Sequence, residues 1–231
     1  MAEQFEAKPL RFEATKSSGS VSALLMKPDE AFCLLAFAHG AGADMRNPFM
    51  ENMSLELAFR RIATLRYQFP YTEKKLRRPD PGPVLITTVR SAIAFAEEAG
   101  KGIPLLAGGK SMGGRMTSMA ASEKALPGVR GIVFFGFPLH PSGAPSTERA
   151  QHLADVPVPM LFLQGTRDAL ATFSLLQPVC GALGERATLI PVGDADHSFH
   201  VPKKTGRSPA EIMKQLADAV EEWTIRLLGS R

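Results

Sequence analysis

Serine, aspartate and histidine occur in this chain at places where they can do nucleophilic chemistry together. The segment Gly109-Lys110-Ser111-Met112-Gly113 follows the apolar run from Ile103 to Ala107 and opens a stretch of helical character. A serine on a sharp strand-to-helix turn exposes its hydroxyl, and the tight backbone there demands residues almost without side chain two positions away on each side. Gly109 and Gly113 meet that demand. Because Gly and Ser are common, these five residues carry weight only if a base and a carboxylate follow. Asp168 ends Gln164-Gly165-Thr166-Arg167-Asp168 directly after an apolar run. His197 lies in Gly193-Asp194-Ala195-Asp196-His197-Ser198-Phe199-His200, after the last such run. A serine hydroxyl becomes a nucleophile when a histidine takes its proton and a carboxylate fixes that histidine's tautomer. The set predicts acyl transfer through Ser111, with His197 as base and Asp168 as its orienting acid.

An aspartate after a strand ordinarily caps a turn, and Asp168 gains its catalytic reading from the serine upstream and the histidine downstream. Asp194 and Asp196 share the histidine's loop, sit one and three positions from it, and are expected to shape the loop. His200 rivals His197, which is preferred because it falls just beyond the strand and the aspartate-rich turn. A histidine pair without a third His or Cys nearby, and without His-Glu-x-x-His spacing, predicts no metal site. The oxyanion of acyl transfer needs backbone donors. The N–H of Met112 is one, and the loop His39-Gly40-Ala41-Gly42 offers a second at Ala41 or, failing it, Gly42. His39, His140 and Lys110 are candidate substrate contacts; His39 is also expected to pack under its loop, and Lys110 to face solvent or pair with a carboxylate. Gly-Lys-Ser at 109–111 suggests a phosphate loop, but Pro104 occupies the position of that motif's first glycine. The dinucleotide-binding glycine spacing is absent too, so nucleotide binding is not expected.

The elements that must position these residues alternate. Leu10 to Thr15 and Val21 to Lys27, separated by Ser17-Ser18-Gly19-Ser20, read as an antiparallel pair. Strand Phe32 to Ala38 follows. Asn47-Pro48 then caps a helix expected to bury Leu55, Ala58, Phe59 and Ile62. Next come strand Thr64 to Phe69, a proline-rich loop Tyr71 to Pro83, and a helix with Leu85, Val89, Ala92, Ile93 and Ala96 at helical spacing, ending at Gly100. After the elbow helix the expected elements are strand Gly131 to Phe135, a long loop Gly136 to Pro157, strand Pro159 to Gln164, helix Thr172 to Leu183 and strand Arg186 to Val192. Ser208-Pro209-Ala210-Glu211 is a capping box for a last helix burying Ile212, Leu216, Val220, Trp223 and Leu227. Such alternation predicts an α/β fold: a mainly parallel, doubly wound sheet with an N-terminal antiparallel hairpin, no large lid domain, and a site built at the strand C-termini.

At 231 residues and 45% hydrophobic content, one domain spanning 1–231 is expected. Met1 to Leu10 lacks the apolar core of an export signal, and the longest apolar stretch, Ala31 to Ala38, is too short to span a bilayer. A soluble cytoplasmic protein without membrane attachment is the expectation. Cys33 and Cys180 read as buried free thiols. The net charge of +4 is spread along the chain, so nucleic acid is not implied. The densest basic cluster, Lys74, Lys75, Arg77 and Arg78, reads first as solvated loop charge.

Several segments together carry a family resemblance: His39-Gly40-Ala41-Gly42-Ala43, Phe69-Pro70-Tyr71 with Arg78-Pro79-Asp80, Gly108-Gly109-Lys110-Ser111-Met112-Gly113-Gly114-Arg115, Phe137-Pro138-Leu139-His140-Pro141, and Gln164 to Asp168. The chain resembles the α/β-hydrolase superfamily from about Cys33 to His200. Its layout is similar to that of the dienelactone hydrolases, with serine replacing their cysteine nucleophile. The resemblance implies the α/β-hydrolase fold, the triad Ser111, Asp168 and His197, no cofactor, and a small acyl substrate, an ester, thioester or lactone. Members that serve as subunits of larger assemblies make a non-catalytic interaction module the alternative. Ala169-Leu170-Ala171 stands where related sequences tend to have a proline, an aromatic and a glycine, which implies a different pocket shape there. The pocket is expected to be open, partly covered by His140 and its proline-rich surroundings.

Overall fold

Strands covered on both faces must be apolar at every position, and Cys33–Ala38, reading Cys-Leu-Leu-Ala-Phe-Ala, is buried throughout. A computed structural model describes residues 5–229; Met1 to Gln4, part of the segment read for an export signal, lie outside the described residues. Its strands are β1 (Lys8–Thr15), β2 (Gly19–Met26), β3 (Cys33–Ala38), β4 (Ile62–Tyr67), β5 (Leu105–Lys110), β6 (Val129–Phe135), β7 (Met160–Gly165) and β8 (Ala187–Val192). They form one sheet in the order β1-β2-β4-β3-β5-β6-β7-β8. β1 and β2 pair antiparallel, β2 joins β4 antiparallel, and β4 through β8 are parallel. The expected fold class is the one observed.

The helices are α1 (Pro48–Phe59), α2 (Pro70–Glu73), α3 (Gly82–Gly100), α4 (Met112–Glu123), α5 (Phe173–Ala182) and α6 (Pro209–Leu228). Side chains alternate faces along a strand, so the sheet contributes to two cores. Leu34, Ala36, Leu65, Ile132, Phe134 and Phe162 join Val89, Ala92 and Ile93 of α3, Met116 and Ala120 of α4 and Leu176 of α5. Leu35, Phe37, Leu106, Val133, Phe135 and Leu163 join Met50, Met53 and Leu57 of α1 and Leu216, Val220 and Trp223 of α6 on the other side. The capping signals act as read. The Asn47 side chain accepts from the Phe49 N–H, and Ser208 and Glu211 cap each other's N–H groups.

Three expectations are corrected. The buried face of α1 is Met50, Met53, Ser54, Leu57 and Ala58, whereas Leu55 and Phe59 are 39% and 54% exposed; Ile62 starts β4 because the chain turns through a positive φ at Arg61. The loop Tyr71 to Pro83 begins inside the short helix α2. The segment 136–157 is not only a loop, since Glu148–Asp155 forms a 3-10 helix. β5 carries the apolar run that ends at Ala107 on to Lys110, because the backbone ladder does not need apolar side chains there. Cys33 and Cys180 are free and buried, and burial pushes both thiols up to about 12. Among the described residues no helix is long and apolar enough to cross a membrane.

Candidate active site

Ser111 lies between β5 and α4 with φ 50° and ψ −116°, a backbone state that non-glycine residues rarely adopt. Its N–H donates to the carbonyl of Phe135 on β6, which fastens the turn to the sheet. The two flanking glycines are a steric requirement. A Cβ on Gly109 would lie 2.5 Å from the Ala38 carbonyl oxygen, and one on Gly113 would lie 2.5 Å from the same atom and 2.6 Å from that of His39. The turn is thus wedged against the end of β3, whose following loop carries Gly40 and Ala41.

Ser111 Oγ is 2.8 Å from His197 Nε2, and His197 Nδ1 is 2.7 Å from Asp168 Oδ2. The carboxylate of Asp168 is fully enclosed. A buried carboxylate must be met by donors: Oδ2 also accepts from Gln164 Nε2 at 2.6 Å, and Oδ1 accepts from the Leu170 N–H at 2.7 Å. With Nδ1–H committed to Asp168, Nε2 carries the lone pair that faces the serine hydroxyl. Gln164 is a residue to which the sequence reading gave no role. It stands in the segment quoted for Asp168, and its own Oε1 accepts from the Phe137 N–H, so it ties the carboxylate to the loop after β6.

The histidine loop is self-braced. Asp196 Oδ1 accepts from the N–H groups of Ser198 and His200, and the Asp196 N–H donates to the His200 carbonyl. Asp194 and Asp196 shape the loop rather than address the ring. His200 is exposed, stands beside Asp196 and lines the cavity that Ser111 opens into, but the ring bonded to Ser111 Oγ is that of His197.

Ser111 opens into a cavity of about 400 Å³ lined by Gly40, Ala41, Asn47, Phe49, Lys110 and His197, among others. A Cβ on Gly40 would lie 3.5 Å from that of Ser111, so this loop passes directly beside the hydroxyl. Met112 opens α4, where first-turn N–H groups have no intrahelical acceptor and the helix end favours negative charge. Ala41 lines the same cavity, while Gly42, its alternate, walls the neighbouring groove with Tyr71, Lys75 and Arg77.

Two expected substrate contacts are corrected. His39 has no exposure. Its Nε2 accepts from the Phe69 N–H and meets the Thr72 hydroxyl, and its Nδ1 faces the Gly40 carbonyl; burial pushes the ring down to about 4. His39 therefore supports the Gly40–Ala41 loop from beneath. His140 is also buried and stands outside the cavity lining, with Nε2 accepting from the Thr172 N–H and Nδ1 facing the Pro141 carbonyl. It staples the loop after β6 to the start of α5 and does not cover the pocket. Ala169-Leu170-Ala171 likewise holds Asp168 and His140 by backbone bonds and stays outside the lining.

Lys110 departs from both of its expected ordinary fates. Half-buried at the cavity wall, its ammonium donates at 2.6 Å to the carbonyl of His197, not to a carboxylate. It stands 5.8 Å from the ring centre of Phe49 and 5.3 Å from that of Phe199. Burial, partly offset by Asp168 and Asp196, lowers its amine to about 8. Lys74, Lys75, Arg77 and Arg78 are exposed, as solvated loop charge should be.

The family model described as the alpha/beta hydrolase domain matches residues 31–225. Among solved structures, a dienelactone hydrolase from Anabaena variabilis is similar over 97% of this chain and 99% of its own, with a TM-score of 0.77 at 18% identity. An α/β serine hydrolase without a lid from Xanthomonas campestris gives a TM-score of 0.71 at 18% identity, covering 94% of this chain and 95% of its own. Est1E from Butyrivibrio proteoclasticus, whose structure has also been solved with ferulic acid bound, gives 0.71 at 13% identity, covering 95% and 98%. At these identities the likeness concerns the fold.

Proposed function

The chain belongs to the alpha/beta hydrolase family, and from that premise we propose that it cleaves a small acyl ester, thioester or lactone through an acyl-enzyme on Ser111. The observation that carries this reading is the unbroken chain from Ser111 Oγ to His197 Nε2 and from His197 Nδ1 to Asp168. In the first step Ser111 Oγ attacks the acyl carbon while its proton passes to His197 Nε2. The oxyanion sits between the N–H groups of Met112 and Ala41. The tetrahedral adduct collapses, the bond to the leaving group breaks, and His197 gives that group its proton. Water then attacks the acyl-enzyme, His197 takes one of its protons, and collapse returns the proton to Ser111 Oγ as the acid leaves. Asp168 orients His197 and stabilises the imidazolium at each transfer.

Among the described residues no large lid domain stands over the cavity at Ser111, which favours small or exposed acyl groups. Labelling with a fluorophosphonate probe tests the reading. The wild type reacts and Ser111→Ala does not; a well-folded wild type that stays unlabelled, and is inert toward a broad panel of esters, thioesters and lactones, overturns it in favour of a non-catalytic interaction module.

A further inference from the structure

Lys110 is used by neither the nucleophile nor the oxyanion donors, yet its placement is costly. It pairs in register with Phe135 at the end of β5, and strand alternation sends its side chain to the same face as Leu106, toward α1. There the ammonium lies near Phe49 of α1 and Phe199 of the histidine loop, two rings stacked on each other with centres 5.8 Å apart. A half-buried lysine loses hydration that an apolar residue would not. What it gains is a short charge-assisted bond to the His197 carbonyl. Space is kept for that bond at Gly136, which has a φ of +72°. A Cβ there would lie 3.1 Å from Lys110 Nζ and 3.5 Å from both Nδ1 and the carbonyl oxygen of His197.

We propose that Lys110 is a positioning residue, whose ammonium holds the backbone of His197 so that the ring spans Ser111 and Asp168. This rests on the hydrolase reading above. The loop has other ties: Asp196 braces it internally, the Asp194 N–H donates to the Thr166 hydroxyl and the Ala195 carbonyl accepts from the Arg167 N–H, and Phe199 anchors it to the core. Lys110 links it to the strand that ends at the nucleophile, so base and hydroxyl share one frame. A misplacement of about 1 Å at a reacting centre costs up to ~100-fold in rate. The charges acting on the ammonium are the carboxylates of Asp168 and Asp196, which favour its charged form against the effect of burial.

The test uses Lys110→Met and Lys110→Gln in the full chain, with folding checked by thermal unfolding. Lys110→Met is expected to lower kcat ~10- to 100-fold with KM nearly unchanged, and Lys110→Gln, a neutral donor, to fall between it and the wild type. The wild type is expected to lose activity as pH rises through about 8, where the amine discharges, and both variants lack that step. The backbone amide signals of His197 and Ser198, followed by NMR, shift through the same pH range in the wild type and stay still in both variants. A step that persists in either variant, or its absence in the wild type, overturns the proposal. Because the amide signals need no turnover, a chain that proves inert toward esters and fluorophosphonate sinks the hydrolase reading while this measurement still decides the role of Lys110.

Discussion

β3 leads to His39, β6 to His140 and β8 to His197, so three parallel strands carry a histidine in the loops at their C-terminal ends. Two of these regions are built alike. In each, Nδ1 faces the carbonyl of the following residue, Gly40 or Pro141, at 2.8 Å. Nε2 accepts a backbone N–H from another loop and meets a threonine hydroxyl. Both rings are spent on holding backbone, and both are buried. The third region differs at both ring nitrogens. His197 Nδ1 faces a carboxylate, and its Nε2 reaches a hydroxyl beside a cavity. A ring whose two nitrogens are both spent on backbone serves as a strut, whereas a buried carboxylate on Nδ1 orients the ring with Nε2 toward the hydroxyl.

The comparison breaks first at Asp168. Asp168→Asn removes the carboxylate that distinguishes His197 from the two struts and is expected to lower kcat ~10³- to 10⁴-fold. Thermal unfolding beside ester kinetics separates this from a folding defect; a loss below tenfold in a folded variant means that His197 does not depend on Asp168. His140→Ala is expected to do the reverse. It orphans the buried Thr172 N–H and costs ~1–3 kcal/mol in urea unfolding, while fluorophosphonate labelling of Ser111 persists.

A third effect is a pH dependence. His39 stays neutral in the folded chain down to about 4, against 6.5 when exposed. Between those values the unfolded chain binds the proton that the folded chain refuses. Stability is therefore present in full above about 6.5 and is lost as pH falls toward 4, by up to ~1.4 kcal/mol per pH unit for this ring. His152, pushed down to about 4 chiefly by burial and also by Arg115, acts in the same window. Unfolding free energies of wild type and His39→Asn, measured between pH 4 and 7, should differ in slope; parallel curves would show that His39 is not buried neutral.

Local signals placed the fold well. The apolar runs located the strands, and Asn47-Pro48 and Ser208 to Glu211 located helix starts, because those effects act within one turn or one strand. The phase of α1 was misread because Leu55 and Phe59 are apolar yet exposed, and which stripe faces the sheet is settled by the angle at which the helix packs. The tight spacing around Ser111 was legible for the same local reason: glycines two residues away are demanded by atoms of the turn itself and of β3.

By itself the sequence determined the alternation of elements, the turn that lifts Ser111, and an order in which Asp168 and His197 follow it at strand ends. Only the tertiary structure decided which histidine meets a carboxylate, that Gln164 holds that carboxylate, and that Lys110 turns inward to the His197 carbonyl instead of outward to water. The physical reason is one of range. Strand, cap and elbow signals are satisfied by neighbours a few residues away, whereas the polar partners of His39, His140, His197 and Lys110 come in part from segments about 30 to 90 residues distant. Those segments are brought together only when parallel strands align their C-terminal ends.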